Sequence, residues 1–296
     1  MFGISFCKLH GFGNDYIVVE KSELTGDADL GELTRRMCHR HTGVGGDGIA
    51  LLEKLDGREG DYSCRIINPD GSEAGFSGNG TRCAVAYLYY KNLWSDENLK
   101  LKTKSGIKNY QFLRREGNAF WYLAELGRPK FDLPSSPVFD AEFAEKPYEP
   151  GIISLCLPDE HTFISLFFVD VGNPVACFFA DEGLEDFEQF DWRRIGAEIE
   201  SFTAAFPERT NVVFIKISDR ENIEIRIWER GAGETSSSGT CSIAAAVASA
   251  FTGKTGRKVS VHAPGGVTEA VWREEDDEML ITGRADLSFC GEWFYE

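Results

Sequence analysis

The chain lacks any long apolar run: nothing in its 296 residues approaches the roughly 18 consecutive apolar residues a membrane-spanning helix requires. It also lacks a charged-then-apolar leader, because Met1-Phe2-Gly3-Ile4-Ser5-Phe6-Cys7-Lys8 meets Lys8 and then His10 before any such stretch begins. A cytoplasmic location, with no membrane partner, is the expectation. Positive charge is scarce, with 31 Lys and Arg against 48 Asp and Glu and a net charge of −17. That balance argues against nucleic acid and anionic membrane surfaces, both of which would repel the chain. Zinc-like ligand spacing is missing too. The cluster Cys38-His39-Arg40-His41 has no second ligand pair to complete it, so it reads as structural and no metal is expected. The eight cysteines are scattered without a dense framework, so reduced thiols are expected.

What is present is ordinary globular material, 42% hydrophobic and 27% charged, in a chain long enough for two domains. The organising stretch is Asn68 to Cys83, a polar, glycine-rich turn that runs into the apolar segment Ala84 to Tyr90. A helix start leaves backbone amides without internal partners and carries partial positive charge, so Ser77-Gly78-Asn79-Gly80 is suited to a carboxylate or phosphate. A near twin follows. Glu229 to Cys241 repeats the order of acidic polar loop, Ser-Gly, then the small apolar run Ile243 to Ala250. Two such starts, one in each half, suggest two halves facing one small anionic ligand.

Around these loops the pattern is strand-rich. Phe6 to Leu9 and Tyr16 to Glu20 read as strands flanking the loop His10 to Asp15, and Leu30 to His39 has helical spacing. Gly43-Val44-Gly45-Gly46-Asp47-Gly48 fits G-x-G-x-x-G, yet a helix precedes it and a strand follows, the reverse of a dinucleotide site. Arg65 to Ile67, Leu99 to Thr103, Tyr110 to Leu113 and Phe120 to Leu126 are strand candidates, with Thr81 to Lys91 a buried helix. Five prolines between Pro129 and Pro150 mark a linker. In the second half Phe163 to Val171, Val212 to Ile217 and Ile223 to Trp228 read as strands, Trp192 to Phe202 as an amphipathic helix. Val259 to His262, Thr268 to Trp272, Met279 to Thr282 and Ala285 to Tyr295 are further strands. Gly253-Lys254-Thr255 ends like a P-loop but lacks the earlier glycine, since that position is Ala248.

Taken in order, the loops His10 to Asp15, Gly43 to Gly48 and Asn68 to Cys83, then Gly172-Asn173-Pro174, Pro207 to Asn211, Glu229 to Thr235 with Ser238-Gly239-Thr240, and Gly283-Arg284-Ala285, resemble the diaminopimelate epimerase family. That family belongs to the cofactor-independent amino-acid racemases, which also include proline racemase. The likeness spans nearly the whole chain. It implies an α/β (α+β) fold of two similar domains, each a curved mixed β-sheet wrapped around a central helix. Their expected bounds are 1–128, completed by a C-terminal strand at 284–296, and 129–283. It implies a homodimer, no cofactor, and a small amino-acid substrate: LL-diaminopimelate is converted to the meso isomer as two opposed groups remove and return an α-proton, a step of lysine and peptidoglycan precursor biosynthesis.

In the family the two groups are cysteines at the helix starts, where amides and dipole favour the thiolate. Here those positions are Ser77 and Ser238, while Cys83 and Cys241 lie downstream and do not align with them. A serine hydroxyl is a far weaker acid than a thiol, whose ordinary value is about 8.5, so a neighbouring base is required. The family glutamate survives as Glu229, the family histidine after Gly-Asn-Pro is Val175, and a family glutamine is Gly48; Glu73 and Glu234 also lie near the serines in sequence. Serine is equally a preferred N-cap, so capping without proton transfer stands beside chemistry as a reading. The resemblance assigns substrate binding to Asn14, Asn68, Asn173 and Asn211 and places the distal amino and carboxylate groups on Glu229 and Arg230, with bidentate recognition available to the arginine. Amides at Gly78, Asn79, Gly239 and Thr240 would hold the α-carboxylate; turn formation is the alternative for these Asn and Gly residues. Competing functions are a related isomerase or dehydratase acting on another amino or carboxylic acid, and a ligand-binding homologue without turnover. A serine hydrolase is the last, but Gly75-Phe76-Ser77-Gly78-Asn79 misses the final glycine of G-x-S-x-G.

Overall fold

Residues 2–24, 29–132, 151–156, 163–180 and 186–295 are described by the computed structural model. They divide into two units, Met1–Glu125 with Thr282–Glu296, and Leu126–Ile281. The expected linker falls largely outside the described residues.

The first unit begins with a hairpin, β1 (Phe2–Gly11) and β2 (Asn14–Glu20). Then come helix α1 (Leu30–Cys38), β3 (Ile49–Lys54), β4 (Tyr62–Ile67), the two-residue β5 (Glu73–Ala74), helix α2 (Gly78–Tyr90), β6 (Asn98–Thr103), β7 (Gly106–Glu116) and β8 (Ala119–Glu125). Strands β1 and β2 pair antiparallel, β2 and β3 parallel, β3 and β4 antiparallel, β4 and β6 parallel, β6 and β7 antiparallel. The C-terminal part of β17 (Met279–Tyr295) pairs antiparallel with β1, and its Leu287 N–H donates to Asn118 O beside β8, so the sheet curls round α2. Helix α2 packs on β1 to β4 and is buried from Asn79 through Leu88, which is why its sequence has no polar stripe. The other face is covered by amphipathic α1, whose Leu33, Met37 and Cys38 meet Ile17, Val19, Ile49 and Leu51. The side chain of Asp29 caps it by accepting from the amides of Gly31 and Glu32.

The second unit repeats the plan. Strands β9 (Ile152–Cys156), β10 (Phe163–Asp170) and β11 (Pro174–Phe179) precede helix α3 (Trp192–Ser201); β12 (Asn211–Ile217), β13 (Asn222–Glu229) and the short β14 (Gly233–Thr235) follow. Helix α4 (Gly239–Phe251), β15 (Lys258–Ala263), β16 (Gly266–Trp272) and the start of β17 complete it. The pairing β10–β11 antiparallel, β11–β12 parallel, β12–β13 antiparallel, β13–β15 parallel, β15–β16 antiparallel matches the first unit step for step. Alternation in β13 is strict, with Ile223, Ile225 and Ile227 buried. Each contributes roughly 1.5–3 kcal/mol by leaving water. The small residues of α4 let six strands, β10 to β13, β15 and β16, approach it, while Trp192 and Ile199 of α3 pack with Phe214 on the opposite face.

Several expectations shift. The two central helices begin at Gly78 and Gly239, three and four residues before the apolar runs suggested, because their first turns are built from loop-like glycine and polar residues. Strand β11 starts at Pro174, a first-residue position where no ladder amide is needed. The two strands expected at 279–282 and 285–295 are one continuous strand. The expectation of wholly reduced thiols is overturned: Cys7 and Cys290 form a disulfide. They lie opposite each other on antiparallel β1 and β17, a pairing that a sequence separation of 283 conceals. Cys38, Cys64, Cys83, Cys177 and Cys241 are free and buried. Among the described residues no helix is long and apolar enough to cross a membrane.

Candidate active site

Two helix tips carry the residues singled out by sequence. At the first, Ser77 is the N-cap of α2: its backbone is extended and its Oγ accepts from Gly80 N at 3.1 Å. The amides of Gly78 and Asn79 belong to the first turn, where helix geometry provides no internal acceptor. Tyr16 from β2 reaches the same oxygen, its Oη lying 2.9 Å from Ser77 Oγ. The side chain of Asn79 turns inward. Its Nδ2 donates to Asn14 Oδ1 at 3.2 Å, and its Oδ1 accepts from Arg82 Nη2 at 2.6 Å.

Arg82 is the unusual group of this tip. It is 2% exposed, donates through Nε to Gly78 O at 3.2 Å, and leaves Nη1 without a hydrogen-bond partner. The structure makes room for it at Gly283, where a Cβ would stand 1.7 Å from Nη1. Burial draws its pKa below the ordinary arginine value, yet the group remains a cation behind the helix start. Phe12, held at φ +54, presents its ring 5.8 Å from the Arg82 guanidinium carbon and 5.6 Å from that of Arg284.

The network continues outward. Asn14 Nδ2 donates to Asp47 Oδ2 at 2.8 Å, and Arg40 bridges Asp47 and Asp15. Lys8 Nζ sits 2.7 Å from Asp15 Oδ2. Burial resists ionisation of Asp15, but the bonds from Arg40 and Lys8 outweigh it and hold its carboxyl at about 2. Burial and the neighbouring Asp15 push Asp47 the other way.

At the second tip Ser238, 5% exposed, caps α4: its Oγ accepts from Cys241 N at 3.4 Å and lies 3.2 Å from Thr240 Oγ1. Strand β13 ends at Glu229, and the turn after it is tied down from two sides. Arg230 N donates to Asn211 Oδ1 at 2.9 Å and Arg230 Nη1 to Glu208 O at 2.8 Å. Gly231 N donates to Glu200 Oε1 at 3.2 Å, and the same buried carboxylate takes Arg209, whose backbone is left-handed at φ +62. Glu200 therefore fixes both the 207–211 and 229–233 loops from the end of α3.

Neither nearby thiol can serve in place of the serines. Burial raises Cys83 far above the ordinary thiol range and raises Cys241 likewise, the latter aided by the charge of Glu229. The amides of Gly239 and Thr240 occupy the first turn of α4, as those of Gly78 and Asn79 do in α2. Asn68 closes its own turn, accepting from Gly71 N and donating Nδ2 to Ser72 Oγ at 3.0 Å, and Asn173 O accepts from Val171 N at 3.2 Å. Among the described residues no group of His, Cys, Asp or Glu is gathered for a metal. A cavity of about 530 Å³, lined by Asp219, Asn222, Glu224, Arg226 and His262, lies at the opposite end of β13 from Glu229 and contains none of the motif residues.

Sequence reasoning missed Tyr16, Arg82 and Glu200. Arg82 alone had a visible signal, as a single charge inside an otherwise apolar helical run.

A profile of the family described as "Diaminopimelate epimerase" matches residues 6–131 and 167–288. A diaminopimelate epimerase of Pelotomaculum thermopropionicum is 36% identical, over 98% of this chain and 99% of its own length. One of Moorella thermoacetica is 35% identical, over 97% and 98%. In fold the chain resembles a probable proline racemase from Agrobacterium radiobacter, with a TM-score of 0.71 at 15% identity, covering 99% of this chain and 93% of that one.

Proposed function

Because the chain belongs to the diaminopimelate epimerase family, we propose that it inverts one α-carbon of diaminopimelate, converting the LL to the meso isomer without a cofactor. The observation that supports this most directly is the repeated device: two buried helices, one per unit, each opening on a serine cap followed by glycine-rich first-turn amides.

In this reading the α-carboxylate is held by the amides of Gly78, Asn79, Gly239 and Thr240, where helix dipoles favour an anion. One serine, Ser77 or Ser238, takes the α-proton on Oγ as its own hydroxyl proton passes to a neighbouring base; the Cα–H electron pair passes into the carboxylate, and the other hydroxyl gives its proton to the opposite face, where those electrons form the new Cα–H bond. Glu229 assists Ser238 as a base, and Arg230 with Glu229 receives the distal carboxylate and ammonium. Asn14, Asn68, Asn173 and Asn211 position the substrate and the loops that surround it. Asn211 Oδ1 already anchors Arg230 N, so its contribution to a ligand is through its N–H groups. A homodimer and a cytoplasmic location belong to the same proposal.

The test is incubation of the protein with LL-diaminopimelate in deuterated water. Meso product carrying α-deuterium is expected. Absence of both product and deuterium overturns the proposal.

A further inference from the structure

A serine hydroxyl is a poor proton carrier alone, and Ser77 is not alone. Tyr16 Oη lies 2.9 Å from Ser77 Oγ, close enough for either oxygen to donate to the other. The tyrosine is 6% exposed. Its ring edge is lodged between two glycines, since a Cβ at Gly48 or at Gly80 would each come within 2.9 Å of its Cε1. Gly80 lies in the first turn of α2, so the phenol is held against the amide end of that helix. Ser77 Oγ simultaneously accepts from Gly80 N, which fixes the hydroxyl and leaves its proton to the Tyr16 link or to a ligand.

We propose that Tyr16 is the proton store behind Ser77, a relay residue that acts through the serine; this rests on the epimerase reading above. When the first tip delivers a proton, the Ser77 O–H bond breaks as the carbanion electron pair forms the new Cα–H bond, and Tyr16 passes its own proton to Ser77 Oγ, becoming phenolate. In the opposite direction the phenolate takes the Ser77 proton while Ser77 takes the α-proton. The proton lost by one tip is matched by the proton gained at the other, so no further reactant is needed. Ser238 has a threonine hydroxyl beside it instead, at 3.2 Å.

The experiment compares Tyr16→Phe with the parent chain, and Tyr16→Phe/Ser77→Cys with Ser77→Cys, by α-deuterium incorporation and by kcat and KM from both isomers. The phenylalanine keeps the ring between its two glycines, and a thermal melt checks the fold. With serine at 77, loss of the phenol lowers kcat at least ~100-fold while KM stays within about threefold. With cysteine at 77 the same change costs less than about threefold, because a thiol moves its own proton. Equal losses in the two backgrounds overturn the relay and leave the epimerase reading standing. No exchange by any of the four chains overturns both.

Discussion

The fifth position after the capping serine is Arg82 in α2 and Ile243 in α4, both fully enclosed. One backbone device has thus been placed in two electrostatic settings. The first tip has a buried cation behind it and a phenol beside its serine; the second has an apolar helix behind it and the carboxylate of Glu229 acting through space. In the proposed reaction the buried cation favours an anion at the first tip, and the carboxylate favours a proton at the second. Duplication of the fold therefore does not duplicate the surroundings of the serine, and in the proposed reaction the two hydroxyls have different duties.

The sharpest way to break this contrast is to remove the cation. Arg82→Met is expected to keep or raise stability, by up to about 2 kcal/mol, because a buried charge with an orphaned Nη1 is replaced by apolar volume. The same variant loses about tenfold in kcat/KM, one power of ten being about 1.4 kcal/mol. Ile243→Met conserves volume and shifts stability by less than about 1.5 kcal/mol. Urea unfolding and steady-state kinetics on the two variants give the comparison, and a large drop in stability for Arg82→Met contradicts it.

Cap removal sharpens it next. Ser238→Ala loses one cap, worth about 1 kcal/mol, whereas Ser77→Ala also removes the contact with the Tyr16 hydroxyl and costs about 2 kcal/mol. Equal melting-point shifts would place both serines in the same environment. The smallest effect concerns acid. Asp15 has a folded pKa of about 2, below its ordinary 3.8, so its ionisation stabilises the fold above pH 4 and that contribution fades as pH falls through 2. Asp15→Asn should flatten the acid limb of the stability curve by about 1 kcal/mol after allowance for solvent screening, as read from urea midpoints between pH 4 and 2.

Much of the fold was legible because local patterns and burial agree. The alternation of Ile223 to Trp228, the amphipathic α1 and α3, and the twin Ser-Gly starts are each written within a dozen residues. Features created by distant partners were not. Cys7 meets Cys290 only through strand register, and β17 reads as two strands because Gly283 looks like a break when it is in fact the space for Arg82. The site divides the same way. Ser77 and Ser238 were visible as caps, but the bond between Asn14 and Asn79 joins residues 65 apart, and the Tyr16 contact depends on a hairpin folding back onto a helix 61 residues later.

The terminal strand sets an order on synthesis. Strand β1 is made before the second unit, yet the part of β17 that pairs with it is made after every residue assigned to that unit. Gly283, the floor beneath the Arg82 guanidinium, arrives with that final strand. The first unit therefore lacks one strand of its sheet, and the glycine beneath Arg82, until the residues of the second unit have been made.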